Sequence, residues 1–189
     1  MDILEDKVSA ILDNIQKELY GRSKKHVQSM WIVKEKLVDF EKDLDEVQKD
    51  YLLKQAKTDA EKDAIREGLG LYPVSGKIVC IALYNIDTKG GCVYFETGNA
   101  SVVDEKKEGV IYKSGSEKEI LEWFWNDIKK FTKYVTFNGR SFDVPFIRIR
   151  SAILGVQCSR ELHTPRFKTD VHCDLLEELT FQGAFRKFN

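Results

Sequence analysis

Apolar residues recur three and four apart at the start of the chain. Ile3, Leu4, Val8, Ile11, Leu12, Ile15 and Leu19 would share one helical face, with Gly21 as its C-terminal cap. A basic stretch, Arg22 to His26, reads as a solvated linker. Met30 to Val33 is a short strand candidate, and Leu37 to Leu44 fits neither period. Asp45 to Gln55 has helical spacing, with Val47, Tyr51 and Leu52 on one face. Thr58 to Glu67 is a second helix, in which Thr58 and Glu61 have the spacing of a capping box and Gly68 and Gly70 end it.

Beyond Pro73 the pattern changes. Lys77 to Tyr84, KIVCIALY, is almost continuously apolar, as for a central strand covered on both faces. Asp87-Thr88-Lys89-Gly90-Gly91 makes a turn, and Cys92 to Glu96 returns as the second arm of a hairpin. Val110 to Tyr112 adds an edge strand. Ser116 caps a helix, with Glu119 completing the box and Ile120, Leu121, Phe124, Ile128 and Phe131 facing inward; Trp123 and Trp125 belong to its core or flank. Then come a strand from Tyr134 to Phe137, a helix from Pro145 to Leu154, a short strand from Val171 to Cys173, and a helix from Asp174. This alternation predicts an α/β fold with a sheet of mixed direction.

At 189 residues with a formal charge of −1, the chain has one domain plus an appendage and no overall drive toward polyanions. Cys80, Cys92, Cys158 and Cys173 form no C-x-x-C pair, which removes a zinc ribbon or thioredoxin-type site and suits free thiols in the cytoplasm. No apolar run reaches the roughly 20 residues of a membrane helix, and the acidic start is unlike a secretion signal. No membrane partner is therefore expected.

One stretch carries candidate chemistry: Tyr134 to Ile147, YVTFNGRSFDVPFI. A strand ends in Asn138-Gly139, and a lone carboxylate, Asp143, follows between Phe142 and Val144. Ligands gather at the carboxyl ends of strands in α/β sheets, and Gly139 permits close backbone approach. Helix capping is the competing role for Asp143. His172 and Asp174 divide similarly, between metal ligation and a cap for the last helix.

VTFNGRSFDVPFIRIRSAILGV resembles the second motif, N-x-x-x-F-D, of the DEDD-type 3′–5′ exonucleases of the ribonuclease H-like superfamily. It is most similar to the predicted exonucleases related to the proofreading domain of family B DNA polymerases. LGLYPVSGKIVCIALYN resembles that family's second strand and lead-in, and VHCDLLEELTFQGAFRKF its H-x-D-L-L segment. The resemblance implies a ribonuclease H-like mixed sheet flanked by helices over residues 30–189, with residues 1–29 as an N-terminal helical extension and candidate protein contact. It also implies hydrolysis of DNA or RNA from the 3′ end with Mg²⁺ or Mn²⁺. Asp143 is the matching metal ligand and catalytic carboxylate. Asn138, Gly139, Arg140 and Phe142 are the matching nucleic-acid contacts. Arg148, Arg150, Arg160, Arg166 and Lys168 would join Arg140 on phosphates if they shared a face.

Two departures accompany the resemblance. The first motif, F-D-x-E-T, meets Trp31-Ile32-Val33-Lys34-Glu35-Lys36; an apolar residue takes the Asp position, Glu35 matches the Glu, and Lys34 and Lys36 flank it. The third motif, Y-x-x-x-D, has no counterpart after Asp174, so the domain reads as C-terminally incomplete. The expectation is an exonuclease-like domain with weak or no hydrolysis, or a non-catalytic scaffold for nucleic-acid or protein binding.

Overall fold

The computed structural model describes residues 27–97 and 104–184. The helix expected before the linker lies outside them. Strand β1 (Val27–Lys36) begins inside the stretch expected to belong to the N-terminal extension. Helices α1 (Glu46–Leu53) and α2 (Asp59–Glu67) follow, and a 3₁₀ turn over Gly68–Leu71 leads into β2 (Gly76–Asn85). Next come β3 (Gly90–Phe95), β4 (Asp104–Lys107), β5 (Val110–Ser114), α3 (Glu117–Ile128) and β6 (Lys133–Thr136). The last elements are α4 (Asp143–Ile153), β7 (His172–Asp174) and the short α5 (Leu175–Leu179).

The seven strands among the described residues lie in the order β4-β5-β3-β2-β1-β6-β7. Strand β2 is antiparallel to both neighbours, whereas β1, β6 and β7 run parallel. Strands β3-β2-β1-β6-β7 have the reversed second strand and central first strand of the ribonuclease H-like arrangement implied by the resemblance. The hairpin expected between Lys77–Tyr84 and Cys92–Glu96 is present, with Leu83 opposite Cys92. All three sequence-derived capping boxes or caps at Thr58, Ser116 and Asp174 accept a backbone N–H.

Four elements differ from expectation. Strand β5 is not the edge, because β4 pairs outside it. Strand β4 reads Asp-Glu-Lys-Lys, fully exposed, and has no apolar alternation to announce it. The apolar stripe of α1 does not face the core: Val47 and Tyr51 are exposed, and the helix contains no buried residue. Strand β2 is not evenly covered either. Ile78, Ile81 and Leu83 are buried, while Val79, Cys80, Ala82 and Tyr84 are half-buried.

The cause of this last pattern is a bulge. Val33 pairs with Cys80 but Lys34 pairs with Ile78, leaving Val79 as the extra residue. The slip brings Ile78 and Ile81, three positions apart, into one core cluster. They meet Met30 and Tyr94 from the sheet, Ile120, Leu121, Phe124 and Ile128 from α3, and Val144, Phe146 and Ile147 from α4.

A buried ion pair crosses this core. Arg150 of α4 donates from Nε to Glu117 Oε1 at 2.8 Å and from its terminal nitrogen to Oε2 at 2.5 Å. Glu117 Oε1 also accepts the Ile78 N–H at 2.8 Å, and Arg150 donates to the Pro73 carbonyl at 3.1 Å. Removing one partner from such a pair strands a buried charge, which costs about 3–5 kcal/mol. Arg150→Met should lower the unfolding free energy by about that amount, read by urea denaturation. A change within error would show that Glu117 finds compensation elsewhere.

Candidate active site

The strand end that was expected to carry ligands is built by a carboxylate from the neighbouring strand. Asp174 Oδ1 accepts the Asn138 N–H at 2.8 Å and the Leu176 N–H at 3.1 Å, and Oδ2 accepts the Arg140 N–H at 2.9 Å. Asp174 therefore caps α5 and also holds the turn after β6. Asn138 sits in the left-handed region at φ 58°, which Asn tolerates better than most residues. A Cβ on Gly139 would lie 2.5 Å from Thr136 Cβ and Oγ1, so only glycine fits there.

Arg140 turns inward from this loop. Its Nε donates to Glu177 Oε2 at 2.9 Å, and its terminal nitrogens donate to Thr164, Pro165 and the His172 carbonyl. Its side chain is only 6% exposed. The guanidinium expected on phosphate instead ties β7, α5 and the loop at 164–165 to the turn. Arg150 is spent on Glu117, and Arg160 donates to the carbonyls of Ile128 and Phe131 at the end of α3. Arg148 and Arg166 stay at the surface, paired with Glu161 and Glu177. The six basic residues do not share a phosphate-facing surface, because three of them are structural donors.

Asp143 is the first residue of α4 rather than its cap. Phe142 holds the cap position, with no side-chain hydrogen bond to the helix. The Asp143 carboxylate reaches across to β1, where Oδ1 accepts a hydrogen bond from Lys34 Nζ at 2.8 Å. The two side chains are 6% and 14% exposed, Lys34 first. The ammonium also lies 3.7 Å from the centre of the Phe142 ring and 4.9 Å from that of Phe146, within cation–π range. Burial is the largest influence on Asp143 and raises its pKa above the usual carboxylate value; the Lys34 hydrogen bond and charge oppose this, and Asp174 adds to it.

Side chains alternate along a strand, so Ile32, Lys34 and Lys36 share the face of β1 that meets Asp143. That face offers no carboxylate. Glu35 lies in register with Lys77, and its side chain is outside the described residues. A divalent Mg²⁺ or Mn²⁺ ion needs several hard oxygen donors. Asp143 Oδ1 already faces an ammonium, and both oxygens of Asp174 accept backbone N–H groups. Among the described residues, no group of three or more His, Cys, Asp or Glu side chains is arranged to hold a metal. The described side chains do not fit the ion.

Sequence reasoning placed Lys34 beside the site but not in it. Its signal was present: Lys34 is the first charge after the apolar Met30–Val33 run, on the same strand face as Ile32. The Glu117–Arg150 pair and the Arg140–Glu177 pair carried no such signal, since each joins residues more than 30 positions apart.

A mixed sheet with this strand order, and an Asn-Gly turn leading into a helix that begins with Asp, define an exonuclease-like domain. Residues 77–188, more than half of the chain, match the family described as predicted 3′-5′ exonuclease related to the exonuclease domain of PolB, and the chain belongs to that family. The catalytic subunit of DNA polymerase epsilon from Aspergillus fumigatus is 31% identical over 65 residues, which are 33% of this chain and 3% of that one. Its counterpart from Emericella nidulans is likewise 31% identical over 65 residues, with the same shares. The chain thus spans a few per cent of the curated relatives it matches. The family B DNA polymerase of Pyrobaculum calidifontis superposes with a TM-score of 0.45 at 13% identity, over 83% of this chain and 16% of that one. No helix among the described residues is long and apolar enough to cross a membrane.

His172 is fully buried between these elements. Its Nε2 lies 2.8 Å from Thr136 Oγ1, and its ring stacks on Tyr134 at 4.3 Å. Burial first, then the Arg140 charge, pushes its pKa down to about 4. The unfolded chain then binds a proton near pH 6.5 that the folded chain refuses until about pH 4. Stability should therefore drop as the pH is lowered through that window, by a loss on the order of 3 kcal/mol. His172→Gln should flatten this part of the profile in urea denaturation between neutral and acid pH. An unchanged acid slope in a folded His172→Gln would assign the effect to other groups.

Proposed function

We propose that this domain is a non-catalytic exonuclease-like module that holds single-stranded ends of DNA or RNA without cutting them. The contact between Lys34 Nζ and Asp143 Oδ1, 2.8 Å long, carries this reading. Hydrolysis by two ions needs carboxylates that hold them about 3.5–4 Å apart. Here the one carboxylate matched to the family's second motif is paired with an amine of the ions' own sign.

Exposed aromatics at the same strand end support binding. Phe137 follows β6 at 60% exposure, and Phe142 opens α4 at 36%. They bracket Asn138, Gly139 and Arg140. In this reading the rings stack on terminal bases and the Asn138 side chain meets the sugar-phosphate chain, while Gly139, buried with its carbonyl accepting the Val144 N–H, and Arg140 hold the turn in shape. Glu35 is the remaining first-motif match and does not restore a metal pair by itself. The apolar positions that precede β1 in the sequence, Ile3 to Leu19, are the proposed protein contact. The free thiols at Cys80, Cys92, Cys158 and Cys173 suit a reducing compartment such as the cytoplasm.

Labelled single-stranded and 3′-recessed DNA and RNA, incubated with the protein and Mn²⁺, should show no shortening above an EDTA control. The same oligonucleotides should bind in EDTA by fluorescence anisotropy. Phe142→Ala should weaken that binding by about 1–3 kcal/mol, roughly 5- to 150-fold in Kd. Mn²⁺-dependent shortening that disappears in a folded Asp143→Asn would overturn the proposal.

A further inference from the structure

We infer that Lys34 is the resident cation of this site: its ammonium takes the place beside Asp143 that a divalent ion would hold, and the site is filled without metal. The inference rests on the functional reading above and goes further, because it assigns a role to the amine rather than a loss to the carboxylates.

Three features make the amine a built part of the site rather than a passing surface charge. First, the side chain is enclosed, with 6% of its surface exposed. A lysine stem is long enough to carry its head into water, and this one does not. Second, the head has partners suited to a cation on several sides: a carboxylate oxygen at 2.8 Å and the faces of Phe142 and Phe146. Third, Lys34 pairs with Ile78 immediately beside the bulge at Val79, where the register of β1 and β2 shifts. Bulges of this kind re-aim the side chains around them.

The placement of Asp143 completes the argument. A carboxylate in the first turn of an eleven-residue helix is favoured by the helix dipole. It still needs a counter-charge when enclosed. Metal-binding relatives would supply that charge from solution, whereas this chain supplies it covalently from β1. A divalent ion entering the site would have to displace a tethered cation and then sit beside it. The site should therefore ignore metal concentration altogether.

Thermal melts of the whole chain in EDTA and in millimolar Mn²⁺ test this directly. The parent should melt at the same temperature in both. Lys34→Glu, which sets a second carboxylate beside Asp143, should melt lower in EDTA and recover in Mn²⁺. That recovery should vanish in Lys34→Glu/Asp143→Asn. Lys34→Met gives an arm that needs no metal: its melt should fall below the parent's, and the fall should shrink when Asp143→Asn is added. A parent melt that rises with Mn²⁺ and loses the rise in Asp143→Asn would overturn the inference. So would a Lys34→Glu that ignores Mn²⁺, or a Lys34→Met that melts like the parent. Oligonucleotide shortening by the parent would sink the functional reading above, whereas an Asp143-dependent Mn²⁺ shift without shortening would sink this inference alone.

Discussion

The buried pair between Glu117 and Arg150 ties together four pieces of the chain. It links the start of α3, the last turn of α4, the Ile78 amide in β2 and the Pro73 carbonyl before β2. A pair of this kind adds little net stability over an apolar replacement, but it is costly to break and sets geometry tightly. Here the geometry it sets is that of α4 against the sheet. Trp125 reinforces the same junction by donating to Ser151 at 2.8 Å. Since Asp143 opens α4 and Lys34 stands on the strand beside β2, the angle of that helix decides whether the two side chains meet.

A second carboxylate shapes the other half of the site. Asp174 was a candidate metal ligand, yet it accepts three backbone N–H groups and leaves little of itself for an ion. Arg140 behaves in the same manner among the basic residues. In both cases a residue whose type suggests ligand chemistry is consumed by the turn that would have presented it. The charged groups of the turn point inward and hold it from beneath. What it leaves outside is aromatic and amide surface, which is why base stacking rather than ion chemistry is the proposed use of this end of the sheet.

Much of the architecture was legible in the sequence for a simple reason. The β2–β3 hairpin combines an apolar run with a polar turn that leads into the Gly90-Gly91 start of β3, and both signals are local. The helix starts at Thr58 and Ser116 were legible from residues three apart. The failures were non-local. Nothing in Asp104-Glu105-Lys106-Lys107 marks a strand, because β4 exists by pairing with β5 and not by burying a face. The stripe of Val47 and Tyr51 has helical period but meets no core. The site was half legible: its turn, its lone Asp143 and a nearby lysine were all visible. That Lys34 would be the partner of Asp143 was not, because 109 positions separate them and only the sheet order brings β1 to α4.

The charged edge strand β4 has a consequence for how this domain meets its surroundings. Sheets grow by adding strands at their edges, and both aggregation and peptide capture use that route. At one edge, β4 presents four consecutive charged and exposed residues, which disfavour a flat, apolar neighbour. At the other, β7 is only three residues long and passes at once into α5. Neither border invites backbone pairing. Among the described residues, contact with other molecules is thereby left to side chains on faces and loops, and these two edges resist being extended into a fibre.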